Sequence, residues 1–561
     1  MRAVALAAAS LFAASALRAQ TACDGRPIQS IQIVRASLFA GGDPDVLGIA
    51  SAIGDAVHRR TQGGVVRREL LFQVGDACDP ARLAETARVL RAQPYIREAT
   101  VVAVPSASGG VDVLVTTRDE WSLGVSGSVS GGPGFPLRRA RVGEENVQGA
   151  AIRAQLHYDG TLRRPAYDAD VTAHQFFGLH EAQIVAGRSS VGLIVEERLL
   201  RPFRSEYDRT AWRESVRYRK EPFTFLSPVL GRVDQPLLSM AADIGVAKRF
   251  GSPGRLFVAG IALSGERLAT EGAPFAALAA DDSLVAAALA GRFAERRRVR
   301  IHLFAGARAL RYSSRAGVDA VHAYEDVREG VEVGLVVGRS LFAGGGLQRD
   351  WFAAAELFVG ESFQQMLVFA RGKIEGRYLL AERRWDGVLA DGRVHIYTEL
   401  GPRASIASTA GGAGGWSTST PFQLTLGGPD GIRGYGLASM PVGRRIEVQV
   451  EHRYFLGTVF GVADVGTAAF ADLGRGWAGD ATFGADTGLR AAVGGGLRFA
   501  TPRGSRRTYR LDVAFPLMRG HGIEVQLAVN QQFGVFRGES ADVARSREQL
   551  SSTTIFNYPM F

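Results

Sequence analysis

Few residues of this chain have the types and spacing that covalent chemistry requires. The segment Gly474-Arg-Gly476-Trp-Ala-Gly479 has the G-x-G-x-x-G spacing of dinucleotide-binding turns, and it follows a predicted strand. No amphipathic helix follows it to bring a helix N-terminus to a phosphate, so we interpret it as a loop. The sequence has no G-x-S-x-G nucleophile elbow, no H-E-x-x-H metal motif and no convincing acid–base pair. It therefore predicts no enzyme active site, no cofactor and no metal site.

The two cysteines, Cys23 and Cys78, lie behind an N-terminal export signal. A positive start, a short apolar run and the small residue Ala19 predict a signal peptide over residues 1–19. A lipoprotein signal ahead of Cys23 is disfavoured, because Gln20 stands where such a signal takes Leu. An exported chain reaches an oxidising compartment, in which paired cysteines are more often bridged than catalytic. We therefore predict a disulfide between Cys23 and Cys78.

The overall charge and hydropathy exclude two classes of protein. The 66 lysines and arginines outnumber the 56 acidic residues by 10, but the basic residues are spread over strand-like segments without a binding motif. Together with the export signal, this distribution excludes a nucleic-acid-binding protein. No run of 18 apolar residues follows the leader, which excludes a helical membrane protein.

Residues 20–117 are predicted to form a small α+β unit. Its candidate elements follow the order strand, helix, helix, strand, strand, at 28–33, 65–72, from 80 onward, 101–104 and 111–115. The second helix has the clearest signals, because Asp79 can cap its N-terminus and Pro80 suits its first position. Alternation of apolar and polar residues indicates the strands.

Residues 118–536 have the alternation of amphipathic strands. Four segments near the end, 446–454, 489–498, 509–515 and 523–530, carry apolar residues on one face and polar, often charged, residues on the other. A soluble sandwich satisfies this pattern with the apolar face inward, and a membrane barrel satisfies it with the apolar face against lipid. Mid-strand charges, the large number of segments and the export signal favour the barrel. We predict an all-β transmembrane barrel of about 16 antiparallel strands.

Several motifs resemble those of the BamA/TamA superfamily of outer-membrane proteins, also called the bacterial surface antigen family. They are the loop motif Ile432-Arg433-Gly434-Tyr435, the strand motif Phe470-Ala-Asp472-Leu-Gly474, the closing-strand segments 495–498 and 510–517, and the early-strand segment 144–149. The α+β unit over 20–117 resembles a single POTRA domain. Members of the family usually carry two or more such domains, and this departure leaves the specific assembly role open.

The polar segment 537–561, which has no clean alternation, is a second departure. In the family a terminal aromatic residue normally ends the chain, whereas here about 25 residues follow the last predicted strand. We interpret this segment as a solvated C-terminal extension whose aromatic end tucks against the protein.

The resemblance implies a structural role for Arg433. In the family the loop folds into the barrel, so the guanidinium is expected to meet carboxylates on the inner wall: Asp472 first, with Glu451 and Asp512 as further partners. Asp472 shares a face with Phe470, and a charge on that face is costly unless it points inward. The alternative is that Arg433 lies in an exposed glycine-rich turn and contacts water.

The resemblance further implies binding and conformational change rather than catalysis, in the cell outer membrane with the N-terminal unit in the periplasm. The expected partners are the lipid bilayer and unfolded or extended client polypeptides, which bind a sheet edge of the POTRA-like unit and the barrel seam. The presumed first strand, 121–130, is rich in Gly and Ser. This indicates either a seam that opens sideways or local curvature where the barrel closes.

Three functions remain open at this point. The first is outer-membrane protein assembly, insertion or protein translocation. The second is a passive pore or surface structural barrel without assembly activity. The third is a dedicated transporter that secretes one exoprotein.

Overall fold

The computed structural model describes most of the chain. The described residues are 23, 25–39, 58–129, 137–160, 165–276, 282–341, 347–428, 431–435, 440–518, 524–529 and 539–550. The predicted signal peptide over 1–19 and the aromatic end over 551–561 lie outside the described residues.

The N-terminal unit has the predicted order of elements. These are β1 (Ile28–Ala36), α1 (Gly63–Arg68), α2 (Pro80–Ala92), β2 (Ile96–Pro105) and β3 (Val111–Asp119). The sheet order is β1-β3-β2, with β3 parallel to β1 and antiparallel to β2. Asp79 caps α2, because its Oδ1 accepts a hydrogen bond from the N–H of Ala81 at 2.9 Å.

The core of this unit lies between the sheet and the two helices. Val111, Val113 and Val115 are buried on one face of β3, while the residues between them are half-buried. A disulfide joins Cys23 to Cys78, with Cα atoms 5.2 Å apart. It ties the segment before β1 to the segment before α2.

The rest of the chain is dominated by one closed antiparallel barrel. Its long strands are β4 (Leu123–Val129), β5 (Leu137–Glu144), β6 (Ile152–Asp159), β7 (Ala166–Phe177), β8 (His180–Arg188), β9 (Leu193–Arg201), β10 (Thr210–Ser227), β11 (Gly231–Ser252), β12 (Arg255–Thr270), β14 (Arg296–Ala316), β15 (Tyr324–Ser340), β16 (Asp350–Phe363), β17 (Met366–Leu379), β18 (Arg384–Glu399), β19 (Ala404–Trp416), β22 (Arg444–Val459), β23 (Ala463–Trp477), β24 (Gly488–Ala500), β25 (Tyr509–Pro516) and β26 (Glu524–Val529). The shorter elements are β13 (Phe275–Ala276), α3 (Asp282–Leu289), β20 (Leu424–Thr425), β21 (Pro441–Val442) and α4 (Ala541–Leu550). Among the described residues, no helix is both long and apolar enough to cross a membrane.

The predicted count of about 16 strands is wrong. The described chain contributes twenty long strands to the ring, together with the two-residue β13. The estimate assumed a uniform allowance of residues for each strand and its connection. Several connections are much shorter than that allowance, such as the two residues between β7 and β8 or between β16 and β17. Short turns therefore leave room for four additional strands.

The faces of the strands have the inverse of a soluble protein's pattern. In β22, Arg445, Glu447 and Glu451 are buried toward the lumen, whereas Ile446 and Val448 are 53% and 44% exposed on the outside. The same alternation recurs around the ring. Apolar residues outside and charged residues inside are the pattern of a barrel that spans a bilayer.

The N-terminal unit covers one mouth of the barrel, which we call the near end because β4 begins there. Arg506, in the turn between β24 and β25, donates hydrogen bonds to three backbone carbonyls of the N-terminal unit. Arg91 of α2 pairs with Asp326 at 2.8 Å, and Glu69 pairs with Arg204. The three barrel residues belong to turns or strand ends spread around the ring, so the unit spans the opening.

The solvated extension predicted over 537–561 is contradicted where the structure describes it. Residues 541–550 form α4, and Val543 and Arg547 are each 1% exposed among side chains of the barrel lumen. A ten-residue helix this polar has no stable apolar stripe of its own. Its position depends on contacts with residues distant in sequence.

Candidate functional site

The loop between β19 and β22 folds back into the lumen from the far end of the barrel. Its two short strands, β20 and β21, pair with each other, and the N–H of Ile432 donates to the carbonyl of Leu426 at 2.9 Å. Ile432, Arg433 and Tyr435 are at most 3% exposed. The exposed turn considered as the alternative for Arg433 does not match this burial.

Two glycines permit this path. A Cβ on Gly431 would lie 2.1 Å from the carbonyl oxygen of Leu426, so a side chain there would break the turn. Gly434 has φ of +84°, a conformation that other residues adopt at a cost, and Ala514 and Pro516 lie close to it. The chain therefore passes close to the loop's own backbone at Gly431 and close to the barrel wall at Gly434.

Arg433 is held by two carboxylates inside the barrel. Its Nε and Nη2 donate to Oδ2 and Oδ1 of Asp472 at 2.8 and 2.7 Å, and Nη1 donates to Oε2 of Glu451 at 2.7 Å. The backbone N–H of Arg433 also donates to Asp472 at 3.0 Å. The planar guanidinium thus uses both edges, which an ammonium could not do.

The strand motif on β23, residues 470–474, forms the part of the barrel wall that binds the loop. The ring of Phe470 lies under the guanidinium of Arg433, with 3.5 Å from Cζ to the ring centroid. A Cβ on Gly474 would lie 2.8 Å from Cδ1 of Ile432. Phe470 therefore stacks on the guanidinium of Arg433, and Asp472 pairs with it. Gly474 leaves space for the side chain of Ile432, the residue before Arg433. The interpretation of 474–479 as a loop is wrong at its start, because β23 continues to Trp477.

Asp512 does not pair with Arg433 in the way the sequence suggested. It is buried on β25 and pairs instead with Arg498 and with Arg510, the latter at 2.8 Å. Arg498 also reaches Glu451 at 3.2 Å. Asp512 therefore belongs to the same network one step away from Arg433.

The network is completed by arginines of the barrel wall that no motif marks in the sequence. Glu451 is surrounded by Arg433, Arg453 and Arg498, with the last two at 3.2 Å. These arginines lie on the polar faces of amphipathic strands, which was the available signal. The identity of their partners depends on register between strands, which alternation does not determine.

Tyr435 fixes the other side of the loop. Its hydroxyl donates to the carbonyl oxygen of Ala491 on β24 at 2.9 Å. Ile432 and Tyr435 belong to a buried apolar cluster with Phe422, Leu424, Leu426, Met440, Val442 and, from α4, Val543. The loop is thus attached to the wall by ion pairs on one side and by apolar contacts on the other.

A serine, a histidine and an aspartate also meet between the N-terminal unit and the barrel. His58 Nδ1 lies 2.8 Å from Ser122 Oγ, and its Nε2 lies 2.9 Å from Asp119 Oδ2. Ser122 is 2% exposed, so its hydroxyl is closed to a substrate in this arrangement. The trio instead attaches the segment before α1, which carries His58, to the connection between β3 and β4. Among the described residues, no group of three His, Cys, Asp or Glu is placed to hold a metal ion.

Comparisons with known proteins give structural similarities only. No family model matches the chain, and no curated protein matches it. Solved structures to which it is similar include BamA from Haemophilus ducreyi lacking POTRA domains 1-3, with 13% identity and a TM-score of 0.41 over 90% of this chain and 84% of that chain. They also include CdiB from Escherichia coli, with 10% identity and a TM-score of 0.43 over 90% and 75% of the two chains. CdiB from Acinetobacter baumannii has 10% identity and a TM-score of 0.34 over 90% and 74%.

Proposed function

We propose that the chain is an outer-membrane barrel of the BamA/TamA type that acts on polypeptides, in outer-membrane protein assembly or insertion or in protein translocation. The observation that carries the proposal is the lumen loop locked by Arg433 between Asp472 and Glu451. This geometry matches the role that the motif resemblance implies for these residues. The N-terminal unit is then a POTRA-like domain on the periplasmic side, and the near end of the barrel faces the periplasm.

The filled lumen favours a gated barrel over a passive pore. A passive pore needs a continuous water-filled channel. Here the far end holds the loop with Arg433, the interior holds α4, and the N-terminal unit spans the near mouth. A barrel with these three obstructions must change conformation before it can pass or insert a client.

Two surfaces are suited to an extended client. In the N-terminal sheet, β1 and β2 are the edge strands, and β2 exposes Val102 and Val104 by 38% and 43%. A client strand added to such an edge gains main-chain hydrogen bonds. The barrel seam joins β4 and β26, which have 7 and 6 residues and are the shortest long strands of the described ring. We infer that the barrel opens at this seam, because its first strand is rich in Gly and Ser.

Depletion of the protein followed by proteomics of the outer membrane tests this function. We expect several barrel proteins to be lost from the outer membrane, with restoration by the wild-type gene and not by Arg433→Ala. Arg384→Ala is the matched control, because Arg384 forms an ion pair with Glu382 in which both side chains are 50% exposed. An unchanged outer-membrane proteome would refute the assembly role. Loss of a single exoprotein from the medium would identify a dedicated secretion transporter.

A further inference from the structure

The C-terminal helix α4 crosses the lumen rather than lining one wall. At its start, Asp542 pairs with Arg445 on β22. Further along, Arg545 lies over the ring of Phe223 on β10, with 5.0 Å from Cζ to the centroid. In the order of the ring, β10 and β22 are nine strands apart among twenty. The helix therefore contacts nearly opposite walls.

The acidic end of α4 fits a basic pocket on the wall. Both guanidinium edges of Arg445 are used, on Asp542 and on the hydroxyl of Ser540 at 2.8 Å. The N–H of Thr425, in the lumen loop, also donates to Asp542 at 2.9 Å. Arg445 and these hydrogen bonds stabilise the charged form of the Asp542 carboxylate. Asp542 is therefore ionised where it docks.

The basic end of α4 fits an acidic pocket. Arg547 is 1% exposed and pairs with Glu375 on β17, Asp391 on β18 and Glu539 of its own segment, at 2.5, 2.5 and 2.6 Å. A guanidinium among three carboxylates has its charge fully compensated inside the barrel. The two pockets have opposite charge, so they fix the direction of the helix.

Apolar packing joins α4 to the lumen loop. Val543 is 1% exposed and belongs to the cluster that contains Leu424, Leu426 and Ile432. Polar pockets at two positions and an apolar contact between them form a site that is built for one segment. A helix held only by a chance surface contact would not leave both Val543 and Arg547 only 1% exposed.

We propose that residues 539–550 are a built-in plug that occupies a docking site in the lumen and holds the barrel shut until it is displaced. The proposal goes beyond the proposed function, because it concerns how the lumen is closed and not which client is handled. The plug and the loop share an apolar cluster, so release of the helix exposes that side of the loop. Release of the helix therefore removes one obstruction from the lumen and loosens the loop that forms a second.

Single-channel recording of the full chain in planar lipid bilayers tests the plug. Wild-type protein should be closed most of the time. Arg547→Ala removes the guanidinium from three carboxylates and should raise the ratio of open to closed time by roughly 150- to 4,000-fold, the range expected when one side of a buried ion pair is removed. Asp542→Asn keeps the shape of the side chain and should raise the open probability in the same direction. Arg384→Ala, which removes an exposed arginine, should behave as wild type.

Proteolysis provides a readout that is independent of conductance. Asp542→Asn retains Arg545 and Arg547, so trypsin added to folded protein should cleave after them in this variant and leave them intact in wild type. The heat-resistant mobility of the barrel on gels selects folded protein, and if Arg547→Ala does not fold, Asp542→Asn carries the test. A folded Asp542→Asn barrel that stays closed would overturn the proposal. So would one that conducts without cleavage at these arginines, because the opening would then lie elsewhere. Either failure leaves the depletion phenotype unaffected, and so is distinguishable from failure of the proposed function.

Discussion

The strongest test of the site is to remove Arg433 and measure the stability of the barrel. The described hydrogen bonds to the carboxylate of Asp472 all come from Arg433, two from its side chain and one from its backbone. Arg433→Ala leaves that carboxylate buried with the backbone N–H alone. Breaking a buried ion pair on one side costs about 3–5 kcal/mol. An exposed pair is worth about 0–1 kcal/mol, so the control Arg384→Ala should be close to wild type.

The two carboxylates should respond differently. Glu451 keeps Arg453 and Arg498 as partners when Arg433 is removed, whereas Asp472 keeps none of its side-chain donors. In double-mutant cycles, the coupling of Arg433→Ala with Asp472→Ala should therefore be about 1–3 kcal/mol and exceed the coupling with Glu451→Ala. Arg433→Lys should recover only part of the loss, because an ammonium cannot bridge both carboxylates.

Guanidinium unfolding of the detergent-solubilised barrel, followed by the fluorescence of its six tryptophans, supplies these energies. Arg433→Ala should shift the midpoint downward without a change in slope, since the surface exposed on unfolding stays the same. Effects of Arg433→Ala and Asp472→Ala that add within about 0.3–0.5 kcal/mol would show that the two side chains do not interact. That result would refute the lumen lock.

The remaining predictions concern space, covalent linkage and the connection between the two units. Gly474→Ala should loosen the lumen loop and destabilise the barrel by about 1–3 kcal/mol, because the Cβ of the new alanine has no room. In the same unfolding assay Gly265→Ala should be tolerated, because a Cβ there would have its nearest neighbour at 4.0 Å. Mass spectrometry of non-reduced protein should find Cys23 linked to Cys78, and two free thiols would contradict the disulfide. Cys78→Ser should lower the unfolding midpoint of the N-terminal unit, because it removes a cross-link that stabilises by roughly 2–4 kcal/mol. His58→Ala should increase hydrogen exchange in the segment that leads into β4 while leaving the barrel protected, and equal protection in both proteins would mean that the trio links nothing.

The fold was predictable where apolar and polar residues alternate along a strand, because the alternation shows which face is apolar. In β22, Ile446, Val448 and Val450 alternate with charged or polar residues, and the structure places these apolar residues outside. The pairing of Arg433 with Asp472 was predictable only because the two motifs that carry these residues resemble motifs of a known family. The number of strands was not predictable by the same reasoning. The two residues between β7 and β8 and the 27 residues between β19 and β22 leave the same alternation in the strands that they connect.

The helix α4 was missed for a different physical reason. Its residues are polar, and propensity and periodicity describe only interactions within about two turns. The contacts that hold it are with Arg445, 97 residues earlier, and with Asp391, 156 residues earlier. The residues near Asp542 and Arg547 in the sequence do not indicate that both side chains have partners of opposite charge in the lumen.

The lumen loop and α4 act on the same closed state through different interactions. The loop is held by Arg433 on the wall of β22 and β23, and the helix is held by Arg445 on β22 and by Arg547 against β17 and β18. Their contact through Val543 means that displacement of one removes apolar packing from the other. A client that displaced the helix would therefore weaken the loop without first breaking its buried ion pairs. Displacement of the helix itself breaks the buried ion pairs of Asp542 and Arg547, so it is the costly first step, and loosening of the loop follows from it.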